Sequence, residues 1–464
     1  MEILTLRKDI VKKNNWLHNT INRRPDYFLL GGVLFFCFFY RLYYFKFINP
    51  DIFYNSDSVS YFAPINIFNG NIDLYRTPVY PYIIKFFKCI SSEHFIQYLV
   101  LFQQALSFFS IIPFYYISKK ILKNKYLVIL TVLFYGCYSF IIIQNININP
   151  ESLCIIGSVL ILFLFVRYIE KPTKHTAFLL GLFPFILIML KPTYVIVMLI
   201  FFIFLILRYL FFRKEKKELC WGLLGWFIAV IGVLSYCEMN KIYNGEFVLS
   251  KVELNNSLSN IITSETYKQG GDKELINLID TTKQNGVYVS VFLLNNGCID
   301  NYLCSNENFP QYLKPTKDMN FCLSIPNTVN YSPERINKFV KKSQYTFPYL
   351  KYLIRRFLNT FLDYKVLFSI IILELIFLLI AYFKNKKILW SLFFCILFVS
   401  AQFATIIIVI GQFSLNAYAP IEAVNRLLLP SYPFIILIVA YFIYILISSI
   451  DLNKMIKMIN DTYE

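Results

Sequence analysis

Long apolar runs alternate with short polar segments along most of the chain. The hydrocarbon core of a bilayer is about 30 Å thick, so a helix that crosses it needs roughly 20 mostly apolar residues. Ten runs approach or reach that length, at approximately 27–48, 95–118, 126–143, 151–169, 176–190, 193–212, 219–239, 366–383, 389–411 and 427–449. This pattern predicts a polytopic α-helical membrane protein with about 10 transmembrane helices.

The polar segment 49–94 is too long to be a simple connection between the first two spans. It contains two amphipathic stretches rich in aromatic residues, at about 58–68 and 78–89, with an Asn-Gly-Asn turn around Gly70 between them. Aromatic side chains suit the headgroup layer of a bilayer. We therefore expect two short helices that lie on the membrane surface.

A second long polar segment, 241–365, is rich in Asn, Ser, Lys and Glu. Its clusters of turn residues favour a small mixed α/β domain. Its final part is apolar with two adjacent arginines on one side, which predicts an interfacial helix leading into the eighth span. The chain thus divides into an N-terminal transmembrane module (1–240), an external domain (241–365) and C-terminal transmembrane helices (366–464).

The composition agrees with a membrane protein. Hydrophobic residues make up 57% of the sequence and charged residues only 16%. Aromatic residues reach 19%, which excludes a disordered or collagen-like chain because both lack large apolar side chains. The chain is therefore expected to be integral to a bilayer.

The positive charge is distributed as a topology signal. There are 45 Lys and Arg residues against 28 Asp and Glu, a formal net charge of +17, which in a soluble protein would suggest nucleic-acid binding. Here 23 of the basic residues lie in alternate segments, at 1–26, 119–125, 167–175, 208–218, 384–387 and the C-terminal tail. The intervening short segments hold only Arg76, Lys85, Lys88, Lys191 and Arg426. Basic residues concentrate in cytoplasmic loops, so both termini are expected in the cytoplasm, and nucleic acid is not an expected partner.

The first apolar run is expected to remain in the protein. Polar and basic residues occupy positions 1–26 before it, and the run is longer than the apolar region of a signal peptide. We therefore expect a signal-anchor that is not cleaved.

Two carboxylates stand at the predicted external mouths of spans. Asp57 follows the first span and Glu151 begins the fourth, so both can face one cavity at the membrane surface. The cations Arg76, Lys191 and Arg426 lie on the same side. A carboxylate can take the proton of an incoming hydroxyl, and cations can neutralise a phosphate leaving group. This combination of carboxylates and cations is typical of a site that acts on a lipid-phosphate substrate.

Each of these charged residues also has a structural interpretation. Asp57 can be the N-cap of a helix that begins at the next residue. The Glu151 carboxylate suits the start of a helix because of the helix dipole. Lys191 and Arg426 can extend to lipid headgroups, and Arg76 can form an ion pair with a neighbouring carboxylate. Both interpretations stay open for every one of them.

The aromatic residues and the potential metal ligands leave similar alternatives. Tyr61 and Tyr80 either pack within the protein or stack on a sugar ring. His94 with Glu93, near Glu151, offers too few ligands to predict a metal site. No cofactor is therefore expected, with a divalent metal as the alternative. No Gly-rich phosphate loop follows a strand, which favours a lipid-linked donor over a nucleotide sugar.

Five short motifs occur in order along the chain: NSDSVSY at 55–61, RTPVYP at 76–81, PES at 150–152, LKPT at 190–193 and RLLLP at 426–430. Their order and topology resemble those of the GT-C superfamily of integral membrane glycosyltransferases. The first is similar to the aspartate-containing first-loop motif of that superfamily, and the second to the R-x-P-x-Y-P stretch that follows it. The resemblance covers about residues 30–240 and 366–449.

The resemblance implies a transferase that takes a sugar from a polyprenyl-phosphate donor outside the cytoplasm and inverts the anomeric carbon. The role of general base on the acceptor carries over to Asp57, and that of the phosphate-facing cation to Lys191 or Arg426. Two features depart from the family. Serines, rather than an acidic neighbour, flank Asp57, and the segment 241–365 matches no family domain. The acceptor therefore stays open.

The predicted function is an inverting hexosyl- or pentosyltransferase in the bacterial inner membrane, with its site facing the periplasm. Arg76 is grouped with the phosphate-binding cations, and Glu151, Tyr61 and Tyr80 are placed around the acceptor. The acceptor is expected to be a glycan or a lipid-linked molecule. O-antigen or lipopolysaccharide is the first candidate, because serotype-modifying glucosyltransferases share this size and topology.

Two alternative functions use the same features. A polymerase or ligase of lipid-linked oligosaccharides also needs cations near the membrane surface, but the large first loop with its acidic residue favours the transferase. A transporter or flippase would be expected to have paired interrupted helices and charges near the membrane midplane. Most charge here lies at the predicted membrane surface instead.

Overall fold

The computed structural model describes residues 25–48, 76–211, 216–250, 264–284, 333–352 and 429–449, with shorter pieces among 51–72, 257–262 and 391–399. Its helices are α1 (Pro25–Tyr43, extended by a π-helical turn Tyr44–Ile48), α2 (Val79–Ile90), α3 (Phe95–Phe109), α4 (Ile111–Ile121), α5 (Lys125–Cys137), α6 (Ser139–Gln144), α7 (Glu151–Glu170), α8 (Lys174–Leu190), α9 (Val195–Phe211), α10 (Lys216–Asn244), α11 (Lys273–Gln284), α12 (Pro333–Gln344) and α13 (Tyr432–Ser449).

The described helices confirm a multi-pass membrane protein. Five are long and apolar enough to cross a bilayer: Tyr27–Ile48, Phe95–Ile121, Lys125–Gln144, Glu151–Glu170 and Lys216–Asn244. Three shorter apolar helices match further predicted spans, at Lys174–Leu190, Pro192–Ile206 and Tyr432–Tyr444. The predicted span 366–383 lies outside the described residues. That at 389–411 is described only at helical positions 391, 394–396 and 399.

Local sequence explains where two of these helices begin. The side chain of Asn124 accepts hydrogen bonds from the backbone N–H groups of Tyr126 and Leu127 at the start of α5. Thr173 and Thr176 form a reciprocal capping box at the start of α8. Such caps satisfy donors that have no partner within the helix.

Helix α7 is the centre of the bundle. In its most apolar stretch 78% of the residues are buried, compared with 22% in the corresponding stretch of the first span. It packs against α3, α4, α8 and α13 and against the short turn Leu429–Ser431 that precedes α13. A helix that is apolar on all sides is expected to lie inside the protein. Residues at the start of α7 are therefore held from several directions.

Helices α8 and α10 form the closest helix pair among those described. A Cβ atom on Gly181 would lie 2.1 Å from the Gly222 carbonyl oxygen, and one on Gly225 would lie 2.3 Å from the Phe178 oxygen. Only glycine permits the two backbones to approach so closely. This contact fixes the position of the C-terminal end of α10, which contacts residues of the loop 49–94.

The loop 49–94 agrees with the prediction in its second half only. Helix α2 matches the predicted surface helix 78–89, and Gly70 adopts a positive φ of 76° in the predicted turn. The predicted helix 58–68 is not α-helical at its described positions, because Tyr61 and Phe62 form a turn, Asn66 lies in an isolated bridge and Ile67 is in a 3₁₀ turn. The sequence carries a proline at position 64, which removes a backbone donor and disfavours a continuous helix there.

The described parts of 241–365 are mostly helical and contain no strand, so the predicted α/β character does not hold for them. Helix α10 runs past the expected boundary to Asn244. Helices α11 and α12 enclose a separate small core that includes Leu258, Ile261, Leu275, Ile279, Ile336 and Phe339. Their apolar residues recur at helical spacing, a signal that outweighs the turn clusters. Residues 347–352 begin the predicted interfacial helix.

Candidate active site

The described residues of the predicted site lie at one end of the helical bundle, which is called here the site face. This end carries α2, the start of α7 and the C-terminal ends of α8 and α10. Tyr61, Arg76, Tyr80, Glu151 and Lys191 all lie there. They form two groups, and a buried hydrogen-bond network joins them.

Glu151 and Lys191 form the first group. The Lys191 ammonium lies 3.3 Å from Glu151 Oε1, and the two side chains are 14% and 2% exposed. Glu151 follows Pro150 at the N-terminus of α7, and Lys191 follows the last residue of α8. Lys191 therefore turns inward to Glu151 instead of extending to lipid headgroups. A lysine has three donors, so this ammonium can hold Glu151 and contact another anion.

Tyr194 fixes the backbone beside Lys191. It lies in the short 3₁₀ turn Pro192–Tyr194 and is completely buried. Its hydroxyl donates to the Cys154 carbonyl oxygen at 3.0 Å and lies 3.0 Å from the Ser158 hydroxyl. Both partners belong to α7, so the turn that carries Lys191 is attached to the helix that carries Glu151.

Arg76, Tyr61 and Tyr80 form the second group. Arg76 Nη1 donates to the Tyr61 hydroxyl at 3.3 Å, and the guanidinium lies 4.6 Å from the centre of the Tyr61 ring. The Tyr61 and Tyr80 rings meet edge to face with centroids 5.1 Å apart. Such cation–π and aromatic contacts stabilise a defined arrangement. Both tyrosines are buried, so in this structure they pack within the protein.

A chain of buried hydrogen bonds links the two groups. The Tyr80 hydroxyl donates to Gln103 Oε1 at 2.9 Å, and Gln103 Nε2 donates to the carbonyl oxygens of Asn145 and Asn147 at 2.9 and 3.1 Å. The Ser152 hydroxyl donates to Asn145 Oδ1 at 2.6 Å. Ser152 is the neighbour of Glu151, so the network runs from α2 to the start of α7.

The Tyr80 hydroxyl is held in its protonated form. Burial raises the pKa of Tyr80, and the neighbouring Tyr61, Glu151 and Cys154 raise it further. Loss of the proton would place a second negative charge close to Glu151 in a buried environment. Tyr80 is therefore a hydrogen-bond donor and not a base.

An apolar groove of about 780 Å³ opens beside the second group. Residues of α2, α3, α8 and α10 line it, among them Val79, Ile83, Phe86, Phe102, Phe185, Met189, Ser235 and Met239. Tyr236 also lines the groove, and its hydroxyl donates to the Arg76 carbonyl oxygen at 3.4 Å. The groove and the charged residues are thus parts of one region.

Two predicted site residues, Asp57 and Arg426, lie outside the described residues. Tyr61 is the first described residue after Asp57, and the turn Leu429–Ser431, which packs on α7, is the first described segment after Arg426. Glu93 and His94 are exposed, whereas Glu151 is buried and pairs with Lys191. Within the described part of the chain, no three potential metal ligands come together.

Residues 75–236 match the family model of dolichyl-phosphate-mannose-protein mannosyltransferases. That family model is a GT-C superfamily membrane glycosyltransferase domain, to which this segment is similar. It contains Arg76, Tyr80, Glu151 and Lys191, and the family indicates a glycosyltransferase that uses a lipid-linked sugar. Comparison with curated proteins gives no match to the chain. The predicted resemblance is thus confirmed for residues 75–236, which include every described member of the two groups except Tyr61.

Sequence reasoning missed several residues that build the candidate site. Gln103, Asn145 and Tyr236 connect elements that are distant in sequence, so no local pattern identifies them. For Asn145 alone one signal was available: the string NININP at 145–150 follows an apolar run and Gln144, and it ends immediately before Glu151. Asparagines inside an otherwise apolar region need hydrogen-bond partners, which marks this string as part of a buried network.

Proposed function

We propose that the protein is an inverting glycosyltransferase that moves a sugar from a polyprenyl-phosphate donor to an acceptor hydroxyl. The site faces the periplasm in the bacterial inner membrane, and the acceptor is a surface glycan. The coarser activity rests on the family match over residues 75–236. The donor, the residues and the acceptor are the proposal.

One observation carries the proposal, namely that Tyr236, which lines the apolar groove, donates a hydrogen bond to the backbone of the cationic residue Arg76. A polyprenyl phosphate has a long hydrocarbon tail and an anionic head, so a binding site needs both features next to each other. Tyr236 belongs to the groove lining and also holds the backbone of Arg76. The tail is therefore assigned to the groove and the phosphate to the region of Arg76, Lys191 and Arg426.

The reaction is a single displacement at the anomeric carbon. Asp57 takes the proton of the acceptor hydroxyl while its oxygen forms a bond to that carbon. The bond between the anomeric carbon and the phosphate oxygen breaks, and polyprenyl phosphate leaves with the electron pair. Lys191, Arg426 and Arg76 stabilise the negative charge that grows on the phosphate.

Glu151, Tyr61 and Tyr80 support these groups. The Glu151 carboxylate orients the Lys191 ammonium. The Tyr61 ring and hydroxyl hold the Arg76 guanidinium. Asp57 is four positions before Tyr61 in the sequence, which supports the proposal that the acceptor binds near these residues. The proposed acceptor is O-antigen or lipopolysaccharide, on the basis of the size and topology of the chain.

The test is transfer by the purified protein in vesicles of anionic phospholipid that contain a polyprenyl-phosphate-linked radioactive sugar. Mass spectrometry of surface polysaccharide from cells with and without the gene identifies the acceptor. We expect one sugar substituent to disappear with the gene and to be restored by the purified protein. Identical polysaccharide in both strains, together with no transfer in vesicles, would refute the proposal.

A further inference from the structure

A single buried amide, Gln103, joins the two groups of the GT-C site. We propose that Gln103 is a positioning residue that holds the Glu151–Lys191 pair in register with Tyr61 and Arg76. This inference rests on the proposed function, since it assigns both groups to one reaction. It concerns a side chain that touches no charged residue of the site directly.

The hydrogen bonds of Gln103 use its side-chain oxygen and both of its N–H donors. An amide side chain has one acceptor oxygen and two N–H donors in a fixed plane. The oxygen accepts from Tyr80, and the nitrogen donates to the carbonyl oxygens of Asn145 and Asn147. The side chain is completely buried. Water is therefore not at hand to replace any of these partners.

The partners of Gln103 require an amide at this position. Two carbonyl oxygens face its nitrogen, so only a donor group is acceptable there. An ionised glutamate would present an oxygen to them and would be repelled. A methionine has nearly the same size but donates nothing, so it would leave two buried carbonyl groups without this partner, which is unfavourable.

The backbone that Gln103 holds leads directly to Glu151. The string 145–150 connects α6 to α7, and the Asn149 N–H donates to the Asn147 carbonyl oxygen at 3.0 Å. The Ser152 hydroxyl ties Asn145 to the first turn of α7. A displacement of Asn145 and Asn147 is therefore transmitted to the first turn of α7, and with it to the carboxylate that orients Lys191.

The other end of the chain of contacts reaches the first loop. Tyr80 is the partner of Gln103 on α2, and its ring packs edge to face on Tyr61. The Tyr61 ring in turn contacts the Arg76 guanidinium. The two halves of the site come from segments separated by more than 60 residues in the sequence. Among the described side chains, Gln103 hydrogen-bonds both to Tyr80 on α2 and to the backbone of the segment 145–150.

The neighbouring residue Gln104 provides a matched control. It has the same side chain and lies next to Gln103 on α3. Its hydrogen bonds are long: 3.4 Å to the Ile142 carbonyl oxygen and 3.4 Å from Asn145 Nδ2. It is only partly buried and contacts neither Tyr80 nor Asn147. A Gln104→Met protein should therefore behave like the wild type.

The first measurement compares kcat and KM of Gln103→Met and Gln104→Met in the vesicle assay. A displacement of about 1 Å in a catalytic arrangement can cost about 10²-fold in rate. We expect kcat of Gln103→Met to fall by about that factor, with KM for the donor changed less than threefold. Wild-type kcat in Gln103→Met, or an equal loss in Gln104→Met, would overturn the proposal.

The second measurement is the pH profile of Gln103→Glu. Burial raises the pKa of a carboxyl group, so at low pH this glutamate is protonated and can donate to one of the two carbonyl oxygens. Its activity relative to wild type should therefore fall as pH rises through that raised value. A constant ratio over the same range would show that the donor function of residue 103 does not matter.

Hydrogen exchange separates failure of this inference from failure of the proposed function. Amides of 145–153 should exchange faster in Gln103→Met than in Gln104→Met, with α5 unchanged in both. If the wild type transfers no sugar, the proposed function is wrong, and exchange still decides whether Gln103 holds this loop. Equal exchange in the two variants would overturn the positioning role.

Discussion

At the scale of single residues, the ion pair between Glu151 and Lys191 decides between two interpretations of Lys191. A lysine that only anchors the membrane surface extends to headgroups, but this ammonium lies 3.3 Å from a carboxylate that is 2% exposed. An isolated charge in that environment would be costly. The pair holds the cation at the site face, where the proposed donor phosphate arrives.

Replacement of Lys191 by alanine should therefore lower the rate of sugar transfer. Loss of one electrostatic contact to a developing charge typically costs about 10²–10³ in rate. The control is Lys241→Ala. Lys241 is exposed and pairs with Glu238 near the C-terminal end of α10, which belongs to the site face. We expect transfer to fall in Lys191→Ala and to stay normal in Lys241→Ala, measured with saturating donor. Equal turnover in the two proteins would limit Lys191 to neutralising the buried Glu151 carboxylate.

At the scale of elements, the sequence predicted most of the helices and few of the contacts between them. Spans such as 151–169 differ from the observed Glu151–Glu170 by a single residue, because apolar length and flanking charges define them locally. Helix α2 differs from the predicted 78–89 by one residue at each end. The helix predicted at 58–68 is not α-helical at its described positions, and the sequence has a proline at position 64, which disfavours a continuous helix. The described parts of 241–365 contain no strand, because helical periodicity outweighs the turn residues there.

The candidate site was predicted as a set of charges but not as an arrangement. Glu151, Lys191 and Arg76 carry charge in an apolar sequence, which is a strong local signal. Gln103 and Tyr236 are neutral residues in apolar helices, and their roles come from partners 42 and 160 positions away. A single sequence contains no information on such pairs, since they depend on how the helices pack.

The groove between α2, α3, α8 and α10 leads to a prediction about the donor tail. Ser235 lines the groove and is exposed, so Ser235→Trp should fill it without disturbing the core. If the tryptophan prevents two methylene groups of the donor tail from being buried, at about 0.8 kcal/mol each, KM for the donor rises about tenfold.

The control for the groove is Leu234→Trp, which adds the same side chain at an exposed neighbouring position that does not line the groove. A donor with a short lipid tail should be used equally by Ser235→Trp and the wild type. Identical KM values for the long-tailed donor in Ser235→Trp and Leu234→Trp would contradict the assignment of the tail to this groove.

The small core of α11 and α12 leads to a prediction about pH. Arg335 contacts both carboxylate oxygens of Asp272, at 2.7 and 2.9 Å, and Glu274 at 2.7 Å. The hydrogen bonds from Arg335 lower the pKa of Asp272 below its ordinary value. The stabilisation is therefore present at neutral pH and is lost as pH falls through the lowered pKa.

This prediction is tested by hydrogen exchange of α11 in the full-length protein. Its protection factors should decrease as pH is lowered below about 4, and Asp272→Asn should have lower protection at neutral pH with less dependence on pH. The same pH profile in the wild type and in Asp272→Asn would show that the Arg335 contact contributes nothing to the stability of this core.

At the scale of the whole molecule, the mechanism requires a defined orientation in the membrane. The proposed donor is reached from the periplasm, so the site face and 241–365 must lie on that side. In a protein whose native cysteines are replaced, an impermeant thiol reagent should label Lys268→Cys and spare Lys216→Cys. Both positions are exposed in the structure. The opposite labelling pattern would place the site face in the cytoplasm and contradict the use of a periplasmic donor.

The central claim is that Asp57 takes the proton of the acceptor in an inverting sugar transfer. Asp57→Asn keeps the size of the side chain and its ability to cap a helix, but it removes the proton acceptor. The decisive measurement is transfer from a polyprenyl-phosphate-linked sugar by the wild type and by Asp57→Asn at equal membrane yield. The account predicts transfer by the wild type, and binding of the donor with at least about 10²-fold slower transfer by the variant. Near wild-type transfer by Asp57→Asn would contradict it.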